Sequence, residues 1–406
     1  MKKKRVKIKY KNLVILFLVV IGIYLMMKPS SKKEEKKVID YQSYVGKNIS
    51  ELEPLLKDVV KNEDYEYNDE FKENEIIKIE EKDNKINILV SKGKMDDSVY
   101  IKYNVNELGK VPIMMYHGII DTTENVYTGG NVDKDGYNRT ADAFRKDLEM
   151  YYEKGYRMIR LADYANGIID VELGFSPIIL TFDDGNKNNF NVLGRKEDGS
   201  LDIDPNCAVG ILEEFKKKHP DMHVTATFFV MDNLFNQQKY NEEILNFLVD
   251  NGYDVGNHTT IHADFTKITT TKSVEVVGKM YKKLDSLLPN KYVKIIALPF
   301  GSPYKKTHEN YPYILKGNYD GYHYETEAAL RVGWEPEVSP FHKDFDKLFL
   351  KRCRAYDNNG KDFDIEFVFK NLEKNRYISD GNKDLIVIKK GNETLLRDSV
   401  GKIHAY

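Results

Sequence analysis

Cysteine is scarce in this chain: 406 residues contain two, Cys207 and Cys353. That excludes a disulfide framework and any CxxC metal knuckle, and leaves open a single bridge or two unpaired thiols. Charge of one sign is lacking too. With 62 basic and 64 acidic residues the net charge is −2, so no global field exists to capture nucleic acid, and none is expected as a partner. There is one tryptophan, Trp334. Long uncharged apolar runs are also few, and the clearest is residues 13–27, which directly follow the basic start MKKKRVKIKYKN. That pattern predicts a transmembrane anchor with the basic end in the cytoplasm, Tyr10, Lys11 and Lys28 at the bilayer interfaces and the remaining chain outside the cell. The flank LMMKPSSKK offers neither a small-x-small cleavage site nor a cysteine for lipidation.

What is present suits a packed protein: 41% hydrophobic and 12% aromatic residues suffice for a sizeable core. Residues 1–37 read as basic end, anchor and charged spacer, and residues 38–95 as a small α+β module. In that module a short strand start, a helix over 49–60 capped by Asn48 or Ser50, and alternating strands at 76–80 and 85–91 are expected. Residues 96–110 read as a linker. From 111 onward apolar strands at 111–117, 156–161, 177–182, 224–230, 253–255 and 295–298 alternate with helices such as 141–154, 208–218 and 241–251. This predicts an α/β domain with a parallel sheet, open or closed into a barrel, whose site lies beyond the carboxyl ends of the strands. The segment 194–206 reads as a loop at the mouth of that site.

Several chemistry-bearing residues fall at those ends. In PIILTFDDG a buried strand delivers the adjacent carboxylates Asp183 and Asp184 into a glycine turn, where two anions repel unless a cation sits beside them. An Asp-Gly strand-ending turn is the alternative reading. In GNHTTIHADF the imidazoles of His258 and His262 are four apart, as on one face of a helical turn, and could grip one ion; a pair merely decorating a helix is the other reading. One aspartate and two histidines leave a metal open positions for water and substrate, the arrangement of a hydrolytic site, and the second aspartate is then free to act as base. The turn ALPFG at 297–301 could aim a backbone N–H, such as that of Phe300, at a developing oxyanion. His117, ending the first strand of the domain in MMYHG, is a candidate general acid.

TFDDG, HTTIH and LPFG, in this order, resemble the polysaccharide deacetylases with NodB homology, carbohydrate esterase family four. The resemblance runs from about residue 111 to the C-terminus. It implies a distorted (β/α) barrel that removes acetyl groups from N-acetylated sugars with a divalent metal, Zn²⁺ or else Co²⁺ or another transition metal. On it, Asp183 is the catalytic base, Asp184, His258 and His262 are metal ligands, and Pro299 and Phe300 form the oxyanion turn. The opening VPIMMYHGI with FRKDLEMYYEKGYRMIRL is similar to rearranged poly-N-acetylglucosamine deacetylases, which makes His117 the acid, with His404 as its competitor. Two departures stand out. The arginine that family members place before this turn is Ala297 here, with Arg352 or Arg354 as possible replacements, and the fourth motif is blurred, with Trp334 as a possible wall of the acetyl pocket. The order YVGKNISELEPLL to INILVSKG is similar to PASTA modules of bacterial cell-wall proteins. These likenesses imply a membrane-anchored deacetylase acting on cell-wall peptidoglycan or a secreted N-acetylglucosamine polymer; a non-catalytic glycan-binding protein on the same scaffold is the second reading, and a related hydrolase acting on another ester or amide the third.

Overall fold

A computed structural model describes residues 39–406 apart from 58, 69, 83–84 and 123–131. The expected anchor at 13–27 lies outside the described residues, and among the described residues no helix is long and apolar enough to cross a membrane. The chain divides into two compact units after Met95.

The small unit opens with helical turns rather than a strand. Asn48 caps the helix Ile49–Leu52 by accepting from Ser50 N at 3.1 Å, as expected. That helix stops far short of residue 60, because Pro54 lacks the N–H an α-helix would need and only a 3₁₀ turn, Glu53–Leu55, follows. A strand that the sequence conceals, Lys61–Glu66, pairs in parallel with Lys85–Ser91, which in turn pairs antiparallel with Ile76–Lys82. Ile49, Leu52, Ile79 and Ile88 form the core beneath this three-stranded sheet.

In the large unit seven strands run parallel: β1 (Ile113–Tyr116), β2 (Ser176–Phe182), β3 (Thr227–Val230), β4 (Asp254–Asn257), β5 (Ile295–Ala297), β6 (Ala328–Leu330) and β7 (Cys353–Arg354). Their lateral order is β6-β5-β4-β3-β2-β1-β7, and the short strand Tyr156–Met158 pairs with the start of β2. The two outer strands approach each other: Leu330 at the end of β6 bridges in parallel to Leu350, just before β7, so the curled sheet nears closure. The helices α1 (Ala141–Glu153), α2 (Ala208–Lys218), α3 (Asn241–Asp250), α4 (Thr270–Leu287) and α5 (Ile365–Leu372) supply the outer layer. The strand period of two sets the two faces. Ile178, Leu180 and Phe182 pack with Phe144 of α1 and Leu212 of α2, whereas Ile179 packs with Phe229, Ala297 and Leu330. Asp183 has the parity of Ile179 and Thr181, so the chain turns it to the inner side.

Residues 96–110 do not behave as a free linker. They form the helix Asp97–Tyr103 and then exchange backbone hydrogen bonds between Asn106 and Ile378 at 2.9 and 3.1 Å, within the large unit. The segment 194–206 is likewise more ordered than a loop, since Val192–Arg195 and Leu201–Ile203 make an antiparallel hairpin. Cys207 and Cys353 are both free and buried.

Candidate active site

The inner side of the sheet ends in a cavity of about 330 Å³ lined by His117, Asp183, Asp184, His258, His262 and Phe300, together with Tyr137, Asn138, Asn186, Gly118, Leu298 and Val332. The strands' own ladders carry the functional residues to it. Asp183 N donates to Tyr116 O at 2.9 Å, one step beyond β2, and His258 N donates to Val230 O at 3.0 Å, one step beyond β4. The expected helical turn around the two histidines is absent. Thr259 and His262 adopt φ of 62° and 51°, so the segment doubles back as a turn, and the imidazoles converge by that route instead. Asp184 and Phe300 also have positive φ, 76° and 57°. Non-glycine residues in this region cost energy and persist where surrounding contacts enforce them; these four stand at or beside the cavity, while others are spread over the described residues.

Asp184 Oδ1 lies 3.3 Å from His258 Nε2 and 3.5 Å from His262 Nε2, and ligand atoms of the three residues fall within 4.8 Å of one another. His258 Nδ1 lies 2.8 Å from Ala297 O; a carbonyl only accepts, so Nδ1 carries the proton and Nε2 presents a lone pair to the carboxylate. Both His258 Nε2 and Asp184 Oδ1 are buried without a hydrogen-bond partner. Two acceptors facing each other in a buried place need a cation between them, so the donor set fits a metal ion that takes imidazole nitrogen and carboxylate oxygen. The same pressure is visible in proton affinity. Burial works against a charged His258, yet Asp183 and Asp184 outweigh it and raise its pKa, while burial and the neighbouring His258 lower that of His262.

Asp183 is nearly inaccessible and is gripped by Arg352 through both oxygens, Nη1–Oδ1 at 2.7 Å and Nη2–Oδ2 at 2.6 Å. Burial alone would raise its pKa, but the guanidinium and His258 hold it well below the usual carboxylate range. Arg352 is itself fully buried at the threshold of β7, and it also bonds Thr181 Oγ1 at 3.2 Å and Arg331 O at 3.1 Å. The positive partner missing at Ala297 therefore arrives from another strand, and the freed position uses its carbonyl to orient His258. Arg354 instead sits over the Tyr356 ring, 5.3 Å from its centroid.

His117 Nε2 is 3.8 Å from Asp183 Oδ2, and its Nδ1 is buried and unpartnered. Burial lowers its pKa despite the two aspartates. Asn189 Nδ2 fixes the backbone beneath it by donating to His117 O at 2.5 Å. The rival His404 does not reach the cavity; its Nε2 pairs with Asp97 Oδ1 at 2.7 Å. Two further residues lie outside the cavity lining. Trp334 is 48% exposed and does not line the cavity, and Pro299 is buried and shapes the turn without lining it. Phe300 does line it, with its ring 4.4 Å from that of His262. Tyr137 and Asn138 escaped sequence reading because they lie in a polar, motif-free stretch far from the other site residues; the only trace was an aromatic beside a glycine.

Residues 170–313 match the family model for polysaccharide deacetylase. The matched segment is about a third of the chain and contains Asp183, Asp184, His258, His262 and Phe300. His117 precedes it and Arg352 follows it. Among solved structures, the Streptococcus pyogenes deacetylase PplD in complex with acetate is 18% identical, covering 61% of this chain and 93% of that one at a TM-score of 0.44. A de-N-acetylase from Aggregatibacter actinomycetemcomitans is 11% identical, covering 65% and 99% at 0.42, and the BpsB deacetylase domain from Bordetella bronchiseptica is 11% identical, covering 61% and 96% at 0.38. No curated protein matches the chain.

Proposed function

We propose that the large unit is a metal-dependent hydrolase that removes N-acetyl groups from N-acetylglucosamine-containing polymer outside the cell, with peptidoglycan as preferred substrate and a secreted exopolysaccharide second. The observation that carries this reading is the pairing, in one cavity, of a buried ionised carboxylate with an Asp-His-His cluster whose facing acceptors lack a partner. An ion held by Asp184, His258 and His262, Zn²⁺ in our reading, would polarise the acetamide carbonyl as a Lewis acid.

The chain's own residues account for the protons. Asp183 stays ionised because Arg352 and His258 hold it so, and it takes the proton of the attacking water as the new C–O bond forms. A carboxylate this weakly basic holds a proton only briefly. His117 Nε2, 3.8 Å away and kept neutral by burial, receives it and passes it to the nitrogen as the C–N bond breaks. The Phe300 turn is our candidate donor to the oxyanion.

The apolar run at 13–27 as membrane anchor and the small unit as a PASTA-like wall-facing module belong to the same proposal. The second reading, a glycan-binding protein without turnover, draws on Ala297 and on the blurred fourth motif; Arg352 seated on Asp183 removes the first of these supports. Asp183→Asn should retain bound metal, read by elemental analysis, and release no acetate from chitooligosaccharides or peptidoglycan fragments in Zn²⁺ or Co²⁺. Undiminished turnover would end the assignment of the base, and a wild-type chain that binds these glycans without releasing acetate would favour the second reading.

A further inference from the structure

The His117 side of the cavity is walled by a short loop, residues 133–138, that is fixed from several directions. The Asp133 carboxylate accepts from Thr140 N at 2.7 Å and from Thr140 Oγ1 at 2.9 Å, and Asp135 Oδ1 accepts from Tyr137 N at 2.8 Å. Gly136, at φ +76°, lies so close to Arg354 that an added Cβ would stand 2.9 Å from the arginine's own Cβ. Tyr137 O accepts from Gly118 N at 3.0 Å, which stitches the loop to the residue after His117. Just beyond it, the buried Arg139 grips Asp147 at 2.9 and 2.6 Å.

All this ordering presents an aromatic ring to solvent. Tyr137 is 45% exposed and stands edge-on to His117, with ring centroids 5.2 Å apart. Phe300, 55% exposed, stands likewise against His262. Fixing a loop costs conformational entropy, and leaving a large ring in water forgoes the free energy of burying it. A rigid exposed ring over a polar cavity therefore fits a ligand that brings an apolar face with polar edges, and a pyranose ring has that shape. A cavity of about 330 Å³ encloses roughly one such unit.

We propose that Tyr137 is a specificity-determining residue that stacks on the sugar whose acetamido group enters between His117 and the Asp184-His258-His262 cluster. The proposal rests on the deacetylase reading above and names the ring that selects a glycan over other acetylated compounds. Its test uses the full chain freed of metal by a chelator, so that binding of an N-acetylglucosamine oligomer is read by calorimetry without turnover and with the Arg352–Asp183 pair intact. Tyr137→Phe and Tyr137→Trp should bind within about threefold of the parent, while Tyr137→Leu and Tyr137→Ala should bind about tenfold more weakly. In the chain loaded with Zn²⁺, Tyr137→Leu should raise KM by a similar factor with a smaller fall in kcat. Because leucine keeps the bulk, the Phe and Leu pair remains decisive even if the alanine variant folds poorly. A leucine variant that binds as tightly as the parent would overturn the role of Tyr137 alone. A parent that binds no oligomer, in a protein whose wild type releases no acetate, would remove the deacetylase reading and this proposal together.

Discussion

Arg352 and Asp183 form the most consequential pair in the cavity, since each leaves the other a buried uncompensated charge if removed. Arg352→Met should destabilise the fold by about 3–5 kcal/mol at neutral pH and abolish acetate release, whereas Arg352→Lys, which keeps the charge but not the two-pronged geometry, should fall between. The pH dependence has a definite sign. A carboxyl whose folded pKa is depressed contributes stability that is full above its unfolded pKa, about 4, and lost as pH falls through the folded value. In the variant, burial without the guanidinium raises the Asp183 pKa, so acidification protonates it and relieves the strain. Denaturation at neutral pH and near pH 4 should therefore show the penalty shrinking on the acid side; a penalty independent of pH would mean Arg352 acts mainly by packing.

The two histidines of the cluster should separate by environment. His258 is buried and holds Ala297 O, while His262 is about a third exposed and has no hydrogen-bond partner to lose. Added Zn²⁺ should raise the melting temperature of the wild type, because an ion that binds only the folded chain stabilises it by about 2.7 kcal/mol at a hundred times its Kd. His262→Asn should lose that shift and keep the metal-free melting temperature, whereas His258→Asn should lose both. A full Zn²⁺ shift in His262→Asn would exclude this residue from the ligand set.

At the scale of elements, the turn after β2 is the joint on which the site depends. Gly185 has φ +56°, and an added Cβ would lie 3.0 to 3.2 Å from Val230 on β3. Gly185→Ala should cost about 1–3 kcal/mol, and because the strain falls beside Asp184 it should weaken metal binding as well. Calorimetric melting with a metal titration checks both effects. Strands β1 to β5 of the large unit were legible from their apolar residues, and the strand-end position of Asp183, Asp184 and His258 followed from them, whereas β6 and β7, three and two residues long, leave too short a pattern to read. Other elements were hidden for physical reasons. Lys61–Glu66 carries almost no apolar side chain to reveal a strand, and its pairing comes from the backbone of Lys85–Ser91. The i,i+4 spacing of His258 and His262 suggested a helix because spacing alone is blind to the left-handed φ values that close the turn. Arg352 lies 169 residues from Asp183; the sequence offered it beside Arg354 without choosing, because which of the two faces the carboxylate is decided by strand pairing rather than by local pattern.

Across the large unit as a whole, its first and last segments are tied together around two buried carboxyl groups. Glu107 accepts from Tyr377 Oη at 2.8 Å and from Val387 N at 2.7 Å, and Asp380, whose Oδ2 is buried without a partner, stands beside it. Burial raises the pKa of both: Asp380 is pushed up to about 6, and Glu107 well above the usual range, with the charge of Asp380 adding to the effect. Unfolded, both would lose their protons near about pH 4, so between that value and the folded pKa the native state binds more protons and stability falls as pH rises. Asp380→Asn removes the charge while keeping an acceptor for Asn382 N and offering an amide donor toward Glu107. Its melting temperature should match the wild type near pH 4 and exceed it near pH 8, by about 1–2 kcal/mol of stability once partial solvation is allowed for. A variant less stable than the wild type at both pH values would show instead that the two segments are held by an ionised Asp380.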